Sequence, residues 1–199
     1  MKKTLLSIVA VLMIAANVRA QKHGPWDIFV GPRVGFVLND FTSVNGEFRP
    51  GMLVGVNAEV FFSKRISLNM GFNYAQQGCN NVQRPNLEEY DYDLAYINTE
   101  FTFRYYPVHR FCFFGGLNLG RVVTSRIKGP DGKYGLKDYM HRGSVSLPIG
   151  MAVNYKRCEL GVSYSYQINK IARSSFSDYM GDARNTTIMA SFVYRTQLF

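Results

Sequence analysis

Apolar and polar residues alternate singly along most of this chain. In the segment 66–75, Ile66, Leu68, Met70, Phe72 and Tyr74 fall on one parity, and Ser67, Asn69, Gly71, Asn73 and Ala75 on the other. A period of two marks a β-strand with two unlike faces. The alternation recurs near 26–38, 51–62, 66–76, 94–106, 111–123, 143–155, 158–169 and 186–198, which predicts eight strands. Each is long enough to cross a bilayer at a tilt, which takes about 9–11 residues. Beyond the first 20 residues no apolar run reaches the length of a membrane-spanning helix, so the chain is expected to be all-β.

The connections alternate in length. "SKR" (63–65), "PVHR" (107–110) and "KR" (156–157) read as tight turns. The segments 39–50, 77–93, 125–142 and 170–185 are longer, polar, and contain Gly, Asn or Asp. Short turns at one end and long loops at the other are the habit of bacterial outer-membrane barrels with an even strand number. Within the third long loop, "KGPDGKYG" carries Pro-Asp-Gly turn chemistry, so a hairpin rising above the rim is expected there.

The composition of the two faces decides which one meets water. On the bulky parity stand Val54, Val56, Ala58, Val60 and Phe62; Ile97, Phe101, Phe103 and Tyr105; and Leu160, Val162, Tyr164 and Tyr166. Opposite them stand Gly55, Asn57 and Glu59; Asn98, Glu100, Thr102 and Arg104; and Glu159, Gly161, Ser163 and Ser165. A water-facing sheet carries long charged side chains. Small polar ones suit the crowded interior of a narrow barrel, and bulky apolar ones with aromatic ends suit lipid and its interfaces. The expectation is therefore an all-β, eight-stranded antiparallel up-and-down transmembrane β-barrel. A soluble lipocalin-like barrel, with the bulky faces inward, is the competing fold.

The first 20 residues read differently. Lys2 and Lys3 precede an apolar run from Thr4 to Ala16, and Val18-Arg19-Ala20 has the small-x-small form of a signal-peptidase site. The expected organisation is a cleaved signal peptide, 1–20, and a barrel domain, 21–199. Removing Lys2, Lys3 and Arg19 with the leader leaves 20 basic against 14 acidic residues, a net charge of +6. An exported chain of that charge does not call for nucleic acid. Outer-membrane lipid and lipopolysaccharide are the natural contacts, with the barrel assembly machinery during biogenesis. The three cysteines, Cys79, Cys112 and Cys158, have neither disulfide nor metal-ligand spacing. Cys112 and Cys158 are expected to pack as small apolar groups, and Cys79, in a loop, to be exposed.

Three stretches carry a resemblance. "NMGFNYAQQG" (69–78), "YINTEFTFRYYP" (96–107) and "FFGGLNLGRVVTS" (113–125) are similar to segments of the PorT-type outer-membrane β-barrel family, small barrels of the OmpA/OmpX-like kind from Gram-negative bacteria. The resemblance implies an eight-stranded barrel with a periplasmic N-terminus and extracellular long loops. It also implies a role such as that of the family's namesake, in a protein secretion assembly. The chain ends "SFVYRTQLF", where Phe192, Tyr194, Thr196 and Leu198 share the lipid-facing parity and Phe199 does not.

Candidate chemistry is sparse. The lumen parity supplies Arg33, Glu59, Glu100 and Arg104, expected to pair as a structural or gating charge network because lone charges in a narrow lumen are costly. Arg33 and Glu59 lie on neighbouring strands and are expected to meet. Glu100 and Arg104 are about 13 Å apart along one strand, so each needs a partner on a neighbouring strand. In the third loop Arg126, Lys128, Lys133, Tyr134 and Lys137 are candidates for contact with lipopolysaccharide phosphates or a protein partner, as are the acidic residues of the second loop for pairing with them. No nucleophile elbow, phosphate loop or metal cluster is present in the sequence, and no cofactor is expected. Three activities remain at this point: a non-enzymatic structural or interaction protein, a small gated pore, and a lipid A-modifying enzyme using His141 and Ser144.

Overall fold

The computed structural model describes residues 24–42, 46–83, 89–129, 132–135, 140–171 and 182–198. The strands are β1 (Ile28–Phe41), β2 (Glu47–Phe61), β3 (Ile66–Gln83), β4 (Glu89–Val108), β5 (Phe111–Gly129), β6 (Gly132–Gly135), β7 (Gly143–Tyr155), β8 (Cys158–Gln167), β9 (Asn185–Tyr194) and β10 (Thr196–Gln197). Every pairing is antiparallel, and β1 pairs with both β2 and β9. The sheet therefore closes into an eight-stranded barrel. β6 is a flap paired to the far end of β5, and β10 continues β9 along the start of β1 after an interruption at Arg195. Among the described residues there is no helix.

The seam closes tightly. At Gly31, a Cβ atom would lie only 1.6 Å from the carbonyl oxygen of Tyr194, so any larger side chain there meets backbone it cannot displace.

The bulky parity faces outward. On β3, Ile66, Met70, Phe72 and Tyr74 are exposed, and Ser67, Asn69, Asn73 and Ala75 are buried. From Ile66 to Tyr74 is nine residues, the reach of a tilted membrane strand. Trp26, Phe62, Tyr105, Phe113, Tyr155 and Tyr194 stand exposed around the short-turn end, as an interfacial aromatic girdle requires. The opening alternation thus presents its apolar side chains outward, and the lipocalin arrangement is excluded.

The strands run past the expected boundaries. β3, β4 and β5 climb to Gln83, Glu89 and Gly129, so much of what reads as loop in 77–93 and 125–142 is hairpin. The β5–β6 pairing, Lys128 opposite Lys133, is the rising hairpin that the Pro-Asp-Gly turn predicts. Above the belt the interior changes character. Phe41, Cys79, Val82, Tyr92, Leu94, Tyr96, Ile127, Met140, Ile171 and Ala183 form one buried apolar cluster inside the long-loop end. Cys79 belongs to it, wholly buried, which corrects the expectation of an exposed thiol. The β-bulge between Cys79 and Val82, with Gly78 at φ 137° and Asn81 at φ 50°, bends β3 and keeps both side chains turned inward. Cys112 is buried and Cys158 half-buried.

Candidate functional site in the lumen and at the rim

β4 carries most of the interior chemistry. Its even residues point inward: Tyr92, Leu94 and Tyr96, then Asn98, Glu100, Thr102, Arg104 and Tyr106, all buried. Arg104 reaches Glu159 at 2.6 Å and Glu59 at 3.5 Å. Arg195 reaches the same two carboxylates, Glu59 at 2.8 Å and Glu159 at 3.5 Å. Two guanidiniums and two carboxylates therefore form one square across the lumen. Ser67 and the Tyr106 hydroxyl both donate to Glu59. The Arg195 guanidinium also lies over the Phe29 ring at 4.6 Å, and that of Arg104 over Phe114 at 5.4 Å. Below them Phe29, Phe61, Tyr106, Cys112, Phe114 and Ala152 pack into a floor at the short-turn end.

One level higher, Arg33 donates to Glu100 at 3.2 Å. The structure thus brings all four lumen residues into ion pairs, but with partners other than those expected. Arg33 and Glu59 do not meet: the β1–β2 register sets Glu59 opposite Phe29 and Arg33 opposite Gly55. The pairs Arg33–Glu100 and Arg104–Glu59 span the lumen, because inward side chains on a narrow barrel reach across more easily than along it. Glu159 and Arg195 complete the square and were absent from the expected network. Glu159 is the second residue of β8, on the inward parity. Arg195 is placed by the interruption between β9 and β10, which no alternation reveals.

Between the square and the apolar cluster lies a chamber of about 40 Å³, walled by residues such as Asn73, Asn98, Glu100, Asn118, Ser146 and Gln167. That is space for water and little else. An apolar cluster of Val37, Leu53, Ala75 and Met189 on one wall narrows it further.

At the long-loop rim, Arg126 and Lys128 point outward from β5, opposite Asp93 and Asp91 in the β4–β5 register. Asp93 is instead paired to Arg49 at 3.2 Å, and Asp91 accepts from the Asn81 backbone N–H. Lys133 and Tyr134 lie on β6, with Tyr134 exposed. Lys137 falls outside the described residues, as do residues 1–20 and Phe199. His141 is exposed on the outer wall and Ser144 is buried on the lumen side, so the two cannot act on one substrate. Among the described residues no cluster of His, Cys, Asp or Glu has the form of a metal site.

The model of the outer membrane protein beta-barrel domain matches residues 19–173. The chain belongs to this family. Its barrel is also similar to solved structures. One is Ail, the attachment invasion locus protein of Yersinia pestis, in complex with the heparin analogue sucrose octasulfate. There the identity is 14%, the match covers 85% of this chain and 99% of that one, and the TM-score is 0.53. Another is Neisserial surface protein A, with 11% identity, 85% and 97% coverage, and a TM-score of 0.54. At such identities the likeness is one of fold. No functionally curated protein sequence matches the chain. For a barrel domain of this family, the outward apolar belt is the surface that meets outer-membrane lipid.

Proposed function

We propose that this barrel domain is a non-conducting, non-enzymatic outer-membrane protein whose work is done by contact at its long-loop rim. In this reading residues 1–20 are a cleaved export signal, the N-terminus and short turns face the periplasm, and the long loops face outward. The observation that carries it is the double closure of the lumen. A four-charge square with an aromatic floor blocks one end, and an apolar core fills the other. A gated pore would have to dissolve both. Support for an interaction role comes from the rim, where strands extended beyond the belt display Tyr134 and several cations on a rigid scaffold. The resemblance of 69–78, 96–107 and 113–125 to PorT-type barrels makes a secretion assembly the partner to examine first.

The test has two parts. Purified protein in planar bilayers is expected to give no conductance steps, and regular steps abolished by Glu100→Ala would sink the closed-lumen reading. A photo-crosslinker replacing Tyr134 is expected to capture a protein neighbour in intact cells. A deletion strain with unchanged secreted protein would remove the secretion part of the proposal.

A further inference from the structure

The ladder between β5 and β7 ends at Arg121 opposite Gly143. Beyond that point the Val122 N–H still donates to the Arg142 carbonyl, at 2.9 Å, but the His141 N–H donates to Ile171 instead. The segment 140–142 therefore leaves β5 while β5 continues upward with β6. The parting opens a groove of about 490 Å³ on the outer wall, lined by Ile97, Arg121, Val123, His141 and Arg142 among others. A second groove of similar size lies beside it, sharing Val123 and Ser125 and lined by Arg126, Lys133 and Tyr134. Each volume falls in the range of sites for small ligands, about 300–1,000 Å³.

Two properties of this wall select the occupant. The first is charge. Among the described residues Arg33, Arg49, Arg104 and Arg195 all sit in ion pairs. Arg121, Arg126, Lys133 and Arg142 sit in none, and Asp91 and Asp93, the acids that face the upper part of β5 in the β4–β5 register, are turned toward Asn81 and Arg49. The second is position. Arg121 follows Leu117 and Leu119 in one outward row on β5, so its guanidinium stands at the upper limit of the lipid-facing belt, with Arg126 and Lys133 above it. A soluble anion would gain nothing from the row below. A molecule with phosphate at the interface and several acyl chains beneath it would use both.

We infer that this groove binds a phosphorylated, multi-acylated glycolipid of the adjoining leaflet. Its phosphate lies between Arg121 and Arg142 and its chains against Leu119 and Leu117. Arginine suits the role because its planar fork presents paired donors to phosphate oxygens. The inference rests on the proposed outward orientation of the long loops only for which leaflet supplies the lipid.

The test uses the full mature protein refolded in detergent micelles and native mass spectrometry of retained lipid. Bisphosphorylated lipid A is expected to remain bound. Arg121→Ala with Arg142→Ala, or removal of the lipid's phosphates, is expected to cut retention at least tenfold. Lys64→Ala with Arg65→Ala, an equal charge loss at the opposite rim, is expected to leave it unchanged. Each variant's fold is checked by its band shift on boiling. Equal loss in both double variants would mean bulk charge attraction, and release by millimolar inorganic phosphate would mean a free-anion site; either overturns the inference. Micelles have no sides, so this result is independent of orientation, which protease access to the long loops on intact cells tests separately.

Discussion

β4 crosses two regions that obey opposite rules. From Ile97 to Tyr105 it is apolar outside and polar inside, with Asn98, Glu100, Thr102 and Arg104 turned to the lumen. From Asp91 to Ala95 it carries acids outside and Tyr92 and Leu94 inside. The inward parity of β4 carries on through the change, although Ala95 is also buried and the β4–β5 register shifts between Ala95 and Tyr96; what inverts is the assignment of the faces. A two-residue period therefore reports strand geometry alone. The solvent outside each stretch decides which face is greasy: lipid around the belt, water around the rim. The lower region is held by ion pairs that would be a poor way to stabilise a water-soluble core, and the upper region is an ordinary apolar core that happens to sit on a membrane barrel.

The largest break in this comparison is expected where the regions share a seam. Gly31→Val should abolish closure in both, leaving no heat-shifted band after refolding into lipid vesicles. Next comes the lower region alone. Glu59→Ala leaves Arg104 and Arg195 to share Glu159 alone, one buried positive charge in excess, and removes the acceptor of Ser67 and Tyr106. It should cost about 3–5 kcal/mol by urea unfolding in vesicles, while rim protease resistance persists in the folded protein. Leu94→Ala should do the converse, costing about 2–5 kcal/mol and opening the β3–β4 and β5–β6 hairpins to protease while the belt stays inserted. On the outer faces, Phe72→Arg in the belt should cost about 2–4 kcal/mol, whereas Lys128→Leu on the rim should stay within about 0.5 kcal/mol. If the two cost the same, the faces do not meet different solvents.

The last effect is chemical. Burial in the rim core pushes the Cys79 thiol up to about 11 from the usual 9.0. The unfolded chain then loses this proton first as pH rises. The contribution of this thiol to rim stability should be fully present below about pH 9 and be lost progressively toward pH 11. In a Cys112→Ala, Cys158→Ala background, alkylation of folded protein at pH 8 should be far slower than in urea. Equal rates would deny that the rim core exists.

The strands and their inverted faces were legible in the sequence because lipid leaves a strong residue pattern over nine or so positions. The rim core was not legible. Phe41, Cys79, Tyr92, Leu94 and Ile127 sit in segments rich in Asn, Asp and Gly, where loop composition masks short alternating runs and a bulge shifts their register. Within the lumen, parity identified Arg33, Glu59, Glu100 and Arg104 as inward-facing. Which of them would pair depended on cross-lumen distances, and these follow from the stagger of the closed sheet. Arg195 owes its place to the interruption beside the seam, a feature of closure that no single strand encodes.

In the orientation proposed above, with the long loops outward, the inversion along β4 also gives insertion a direction. While the hairpins cross the bilayer, Tyr92, Leu94 and Ile127 can remain in an apolar medium, but Asp91, Asp93, Arg126 and Lys128 must traverse it. Once on the far side, the aromatic and aliphatic residues lose lipid as a solvent and collapse on one another. Backing out would require dissolving that core into water and dragging four charges through hydrocarbon. The upper half of the barrel thus behaves as a rivet head, formed after passage and wider in energetic terms than the hole it came through.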